Sequence, residues 1–232
     1  MRIAIIGPHP DDQELAMGGT IALLARQGHE VTLVDMTDGE PTPFGSVEIR
    51  ARESSAAAAA LGGGIKRVPV GLKNREIVHT LDARYRLAAI YRQLRPQLLF
   101  VPYPQDAHPD HLAVTRIAED ARFDAKLTKS PIPGEPCYPR RIIHYFCSHL
   151  RFNFPATFCI DISTTMETKR RAMECYQSQF YLGRGPSEQG AIVRYLETIN
   201  AYFGGTINRP YAEPFASTEM MGWAGLDQLV VE

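Results

Sequence analysis

Two short turns carry residues whose types and spacing suit metal chemistry: Pro8-His9-Pro10-Asp11-Asp12 and His108-Pro109-Asp110-His111. His9 and Asp12 lie three apart just after an apolar run, and His111 opens a helical pattern, so two imidazoles and one carboxylate can converge on one cation. Such a set leaves at least one coordination position open, and on zinc an open position holds a water whose pKa falls toward roughly 7. Asp11 stands beside a ligand but at a different angle along the chain, free to accept that water's proton, which makes it the candidate general base. His108 need not ligate; as an imidazolium it would donate a hydrogen bond to an oxyanion or a proton to a leaving amine. Asp110, between the two histidines, is placed to orient an imidazole.

Each turn alone has a plain structural reading, because an Asp-Asp pair after a strand caps a helix and a loop histidine is usually solvated. Their coincidence argues against it. Both turns are stiffened by proline, and both fall near a strand's carboxyl end, where open α/β sheets bind ligands. Two other functional classes share part of the pattern. Two His and one carboxylate is also the non-haem Fe(II) triad, although that class favours β-rich barrels. A non-catalytic sugar-binding module would have no need of Asp11 beside a ligand.

The elements that must position these residues alternate regularly. Arg2–Gly7 reads as a buried strand, Leu15–Gln27 as a helix closed by Gly28, and Val31–Asp35 as the next strand, which makes a right-handed βαβ unit. The alternation continues through helix Val47–Leu61, strand Lys66–Val70, helix Leu81–Leu94, strand Gln97–Val101, a proline-rich loop and helix Leu112–Leu127. Later strands are expected at Ile142–Cys147 and Thr157–Ile160, later helices at Met166–Phe180 and Ala191–Tyr202, with an irregular C-terminal remainder. No linker or repeat divides the chain, so one α/β domain over residues 1–232 with a mainly parallel sheet is expected. Gly18-Gly19 belongs to no phosphate-binding fingerprint, and the acidic residues before it would repel a pyrophosphate, so these glycines are expected to let the first helix pack close to the sheet.

At 232 residues and 44% hydrophobic content the chain can build a substantial core. Its 25 basic and 26 acidic residues nearly cancel, which argues against nucleic acid or a membrane as partner and for a small molecule. Three acidic residues within 8–14 interrupt any signal peptide or membrane helix, so a cytoplasmic protein is expected. Cys137, Cys147, Cys159 and Cys175 have no C-x-x-C spacing and read as reduced and mostly packed.

These residues resemble the PIG-L/LmbE-type N-acetylglucosamine deacetylases. The resemblance rests on Pro8 to Asp12 with Glu14, on Gly18-Gly19, and on His108 to His111. It extends to Arg50-x-x-Glu53, to Ser178-Gln179-Phe180 after a helix containing Lys169, and to Tyr211-Ala-Glu-Pro-Phe215, which place the chain near the bacillithiol-pathway branch. It implies a Rossmann-like three-layer sandwich with Zn2+, or another divalent ion such as Fe2+, held by His9, Asp12 and His111. It also implies Asp11 as base, His108 as the charged imidazole steadying the tetrahedral intermediate, and Arg50 facing the substrate or its acetate product. The implied substrate is an N-acetyl amino sugar or glycoconjugate, and the implied assembly a homo-oligomer, as large as a hexamer. Two stretches depart from the family pattern: Lys73-Asn74-Arg75 in the third strand's loop and Asp106-Ala107 before the second turn. Both are expected to border the substrate, with Asn74 and Arg75 as binding residues and Lys73 favouring a more anionic ligand. His29, His79, His144 and His149 lack a partner motif and read as structural, and Trp223 reads as a core anchor or an oligomer contact.

Overall fold

The apolar run Arg2–Gly7 forms β1 at the centre of a seven-stranded sheet whose order is β3-β2-β1-β4-β5-β7-β6. The computed structural model describes residues 1–147 and 155–222; His149 and Trp223 lie outside that range. The other strands are β2 (Glu30–Thr37), β3 (Lys66–Leu72), β4 (Leu98–Pro102), β5 (Arg141–Tyr145), β6 (Phe158–Asp161) and β7 (Ala212–Ala216). The helices are α1 (Asp12–Arg26), α2 (Val47–Leu61), α3 (Leu81–Leu94), α4 (Pro109–Asp124), α5 (Met166–Glu174), α6 (Gln177–Phe180) and α7 (Ala191–Thr206). Strands β3, β2, β1, β4 and β5 are parallel, while β7 runs antiparallel to both β5 and β6.

Successive residues of β1 feed two different cores, as the period of two in a strand requires. Ile3 and Ile5 pack with Met17 and Ile21 of α1, Leu61 of α2 and Ala172 of α5. Ala4 and Ile6 pack with Leu87 and Tyr91 of α3 and Val114 and Ile117 of α4. Helices therefore cover both faces, which makes the three-layer α/β sandwich that the family resemblance implies. Strand order reverses between β1 and β4, so a crevice opens at their carboxyl ends. Both motif turns lie there. Among the described residues no helix is long and apolar enough to cross a membrane.

Three expectations change. The C-terminal stretch read as irregular contains β7, buried along its whole length. Pro214 lies beyond the β5 ladder, which pairs with β7 only through His144↔Ala216 and Tyr145↔Phe215, and is in register with Cys159 of β6 on the other side. The helix expected over Met166–Phe180 is two helices, α5 and α6, broken where Tyr176 turns inward and its hydroxyl donates to Glu14 Oε1 at 2.9 Å. Finally, the Gly18-Gly19 pair meets more than the sheet: Glu213 of β7 accepts the Gly19 amide at 3.0 Å, while the open sides of both glycines face α5 and the segment before it. A Cβ on Gly19 would sit 2.8 Å from Ile162, and one on Gly18 would sit 3.1 Å from Cγ of Lys169.

The close approach at Gly19 yields a stability prediction. Ile162 is β-branched and buried, so Gly19→Ala forces a shift in packing and is expected to destabilise the fold by about 1–3 kcal/mol, read as a lower midpoint in urea unfolding. An unchanged midpoint would mean that this contact yields without strain.

Candidate active site

The turn after β1 is held in an unusual backbone shape. Asp11 has φ 133° and ψ −30°, a positive φ that a non-glycine residue adopts only under constraint. The constraint comes from two neighbouring elements. Thr37 at the end of β2 donates from Oγ1 to the Pro8 carbonyl at 2.9 Å. Arg50 on α2 donates from Nη1 to the Pro10 carbonyl at 2.7 Å and to Asp11 Oδ2 at 2.6 Å.

That shape folds Asp12 back onto His9. Asp12 Oδ2 lies 3.1 Å from His9 Nδ1, accepts the His9 amide at 3.0 Å, and lies 3.4 Å from His111 Nε2. Ligand atoms of His9, Asp12 and His111 all lie within 4.8 Å of one another, and all three residues are buried. The far nitrogen of each imidazole meets another carboxylate: His9 Nε2 lies 3.1 Å from Asp110 Oδ2, and His111 Nδ1 lies 2.9 Å from Asp106 Oδ2. A carboxylate behind each ligating histidine fixes its tautomer and raises its basicity, so the donor set fits a divalent ion.

Other residues expected at the site fall into different arrangements. His108 caps α4, its Nδ1 accepting the Asp110 amide at 3.1 Å, and its ring stacks on His111 with centroids 4.8 Å apart. With Nδ1 accepting the amide, Nε2 is the ring nitrogen left to donate. Arg50 borders the crevice, yet it is buried and its Nη1 is bound to the turn itself, so it acts on Asp11 directly. Arg75, at φ 66°, donates its amide to Asp110 Oδ2 at 2.8 Å. Asn74 and Arg75 line the crevice, whereas Lys73 lies outside its lining and pairs with Glu76 at 3.8 Å. The crevice has a volume of about 480 Å³ and exposes His9, Asp11, Asp12 and His108 at its base, with Leu15, Phe180 and Ile192 forming an apolar wall.

The contribution of Asp106 was missed by the sequence reading, which placed it at the substrate border. Its Oδ1 accepts the His108 amide at 2.8 Å, the local Asx-type turn that an Asp two residues before a helix cap signals, and its other oxygen backs His111. Glu14 is likewise structural: fully buried, it pairs with Arg67 of β3 and accepts from Tyr176. His144 is buried 3.1 Å from Glu119, His79 pairs with Asp120, and His29 meets the N-terminus; none joins the site. All four cysteines are free.

Burial works against charge on His9, but hydrogen bonds to Asp110 and Asp12, together with the charge of Asp12, raise it from 6.5 to about 9. Burial also pushes Asp11 up to about 7; the Arg50 guanidinium opposes that rise and the Asp12 charge adds to it.

A mainly parallel α/β sheet with a buried two-His, one-Asp cluster at its switch point and a carboxylate beside it offers the donors that water activation at a metal requires. The chain belongs to the PIG-L family, described as GlcNAc-PI de-N-acetylase, which it matches over residues 4–122. It is 28% identical over 226 residues to a diacetylchitobiose deacetylase of Thermococcus kodakarensis, covering 91% of this chain and 81% of that protein. A conserved protein of Thermus thermophilus has the same fold, with a TM-score of 0.87, 32% identity and 97% of each chain covered. A 4-oxalmesaconate hydratase of Pseudomonas putida is 26% identical, covering 77% of this chain and 74% of its own length.

The protonation of His9 gives a test of the centre. A divalent ion must displace that proton, so zinc affinity is expected to strengthen as pH rises toward about 9, with protons released on binding. Calorimetry in buffers of different ionisation enthalpy reads the release directly; binding without proton release would contradict the assignment of His9 as a ligand.

Proposed function

We propose that this protein is a zinc-dependent N-deacetylase that hydrolyses the acetamide of an N-acetylglucosamine-type sugar or glycoconjugate, giving acetate and a free amine. The observation that carries the proposal is the strained turn, which sets Asp11 beside the His9, Asp12 and His111 donors, with His9, Asp11 and Asp12 lining an open crevice. A divalent ion held by those three residues supplies Lewis acidity toward water and the amide carbonyl. Asp11 accepts the proton of the attacking water and delivers it to the amine nitrogen as the C–N bond breaks, a cycle suited to a carboxyl raised to about 7. His108 donates from Nε2 to the oxyanion as the carbonyl carbon becomes tetrahedral. Arg50 holds the Asp11 carboxylate in place. The crevice volume of about 480 Å³ suits a sugar with an attached group, and Asn74 and Arg75 stand where that group would lie.

The relationship to a hydratase supports a second reading, in which the same water-activating residues add water to an activated double bond. Amine release from a panel of N-acetylated amino sugars and their conjugates, run beside ultraviolet-monitored hydration of unsaturated dicarboxylates, separates the two. Sugar-dependent amine release is expected; activity confined to hydration would overturn the deacetylase reading. Asp11→Asn is expected to keep its zinc while turnover falls by about 10²–10⁴-fold, whereas His111→Ala is expected to lose metal and activity together. An Asp11→Asn enzyme with near wild-type turnover would remove Asp11 as the base.

A further inference from the structure

The segment from Asp11 to Met17 carries the proposed base and the proposed metal carboxylate, yet no continuous helix holds it. It begins at the positive φ of Asp11 and ends at Met17, where φ −141° and ψ 26° break α1. Strained backbone persists only where the surroundings over-determine it. At the upstream end Thr37 and Arg50 do so through the Pro8 and Pro10 carbonyls.

The downstream end is held from β7. Glu213 accepts the Gly19 amide at Oε1, 3.0 Å away, and the Thr20 amide at Oε2, 2.7 Å away. A carboxylate from a distant strand thus caps the second half of α1 immediately after the break. Lys169 Nζ lies 2.6 Å from Glu213 Oε1 and donates to Asn200 Oδ1 at 2.9 Å. Thr165 Oγ1 donates to the Gly19 carbonyl at 2.8 Å. The side chains of Lys169 and Glu213 are completely buried. Gly18 and Gly19 leave the space these groups occupy.

A buried ion pair is a poor source of net stability, because desolvating two charges offsets most of their attraction. What this pair supplies is direction. Amides freed at a helix start need an acceptor near the helix axis, and a carboxylate there satisfies two at once while meeting the positive end of the helix dipole. We infer that Glu213, charge-balanced by Lys169, is a positioning residue of the metal centre: it fixes the break in α1 and through it the placement of Asp12. The inference rests on the metal-site reading given under Proposed function.

The test compares zinc affinity, by competition with a chromophoric chelator, and thermal midpoint in four full-length proteins. These are wild type, Glu213→Gln, the charge-balanced double variant Lys169→Met/Glu213→Gln, and Arg92→Met. Arg92 is a remote control: it donates to the Ala125, Leu127 and Gly134 carbonyls beyond α4, so its loss destabilises without touching α1. Both Glu213 variants are expected to bind zinc about ten- to a hundred-fold more weakly and to exchange the Gly19 and Thr20 amide protons faster. Arg92→Met is expected to lower the thermal midpoint and leave zinc affinity unchanged. Should Glu213→Gln fail to fold, the double variant, which buries no unpaired charge, decides. Glu213 variants that lose thermal stability yet bind zinc like wild type would overturn the inference, as would an equal zinc defect in Arg92→Met. Wild-type protein that takes up no zinc overturns the metal-site reading itself, a result distinct from any difference among variants.

Discussion

Asp11 stands at a backbone angle that costs an ordinary L-residue on the order of 1–3 kcal/mol, and the rest of the site depends on that angle being kept. It turns the chain from the end of the central strand into α1 within a few residues, so that Asp12 Oδ2 meets the His9 ring and amide while the Asp11 carboxylate faces another way. Adjacent residues of a regular strand would point to opposite faces, whereas this turn lets both Asp11 and Asp12 reach one crevice at different angles. Pro8 and Pro10 reduce the alternatives open to the unfolded turn, which offsets part of the strain. The remainder is met by hydrogen bonds from β2 and α2, elements that the parallel topology brings alongside β1.

The same turn explains how the charges are arranged. Each imidazole lies between two carboxylates: His9 between Asp12 and Asp110, His111 between Asp12 and Asp106. Without an ion, such a cluster is balanced by protons, and the elevation of His9 expresses that balance. A divalent ion held there would exchange those protons for a fixed charge, with the outer carboxylates keeping the rings aligned. The arrangement also links the site to its surroundings, since Asp110 is held in turn by the amide of Arg75, itself at positive φ. Loop geometry after β3 is thereby coupled to the orientation of His9.

Much of this was legible in the chain, because its strongest signals are local. The β1 run, the α2 and α3 boundaries and the two proline-stiffened turns depend on residues near one another in sequence, and propensity and capping chemistry act at that range. What was not legible depends on contacts between distant segments. The stretch 212–216 reads as irregular and becomes a strand because β5 and β6 lie on either side of it. Gly18-Gly19 reads as a sheet contact until α5 arrives beside it. Asp106 has no special spacing as a metal partner, and its importance appears only once α4 turns His111 toward it. Arg50 was expected to face the crevice, but which of its donors meet the turn is decided by the packing of α2.

The division between local and long-range information also bears on specificity. The residues proposed to activate water come from two compact turns, of which His9, Asp11, Asp12 and His108 line the crevice. Its upper wall is assembled from loops with no local motif. Arg75 donates to the Pro41 carbonyl at 2.8 Å, Gln179 donates to Thr42 Oγ1 at 3.1 Å, and Phe44 packs against Gly183. Three loops, after β2, β3 and α6, thus brace one another above a shared centre. Polarising a carbonyl and deprotonating water would serve deacetylation and hydration alike, so relatives named for each reaction are compatible with one kind of centre. Which atom the water meets is then set by how these loops present the substrate. Lys73 makes the point: beside the crevice in sequence, it is paired with Glu76 outside the lining, so its charge says little about the ligand. On the proposed reading, contacts among the rim loops select both the substrate and the atom attacked, and the turn they enclose serves to activate water.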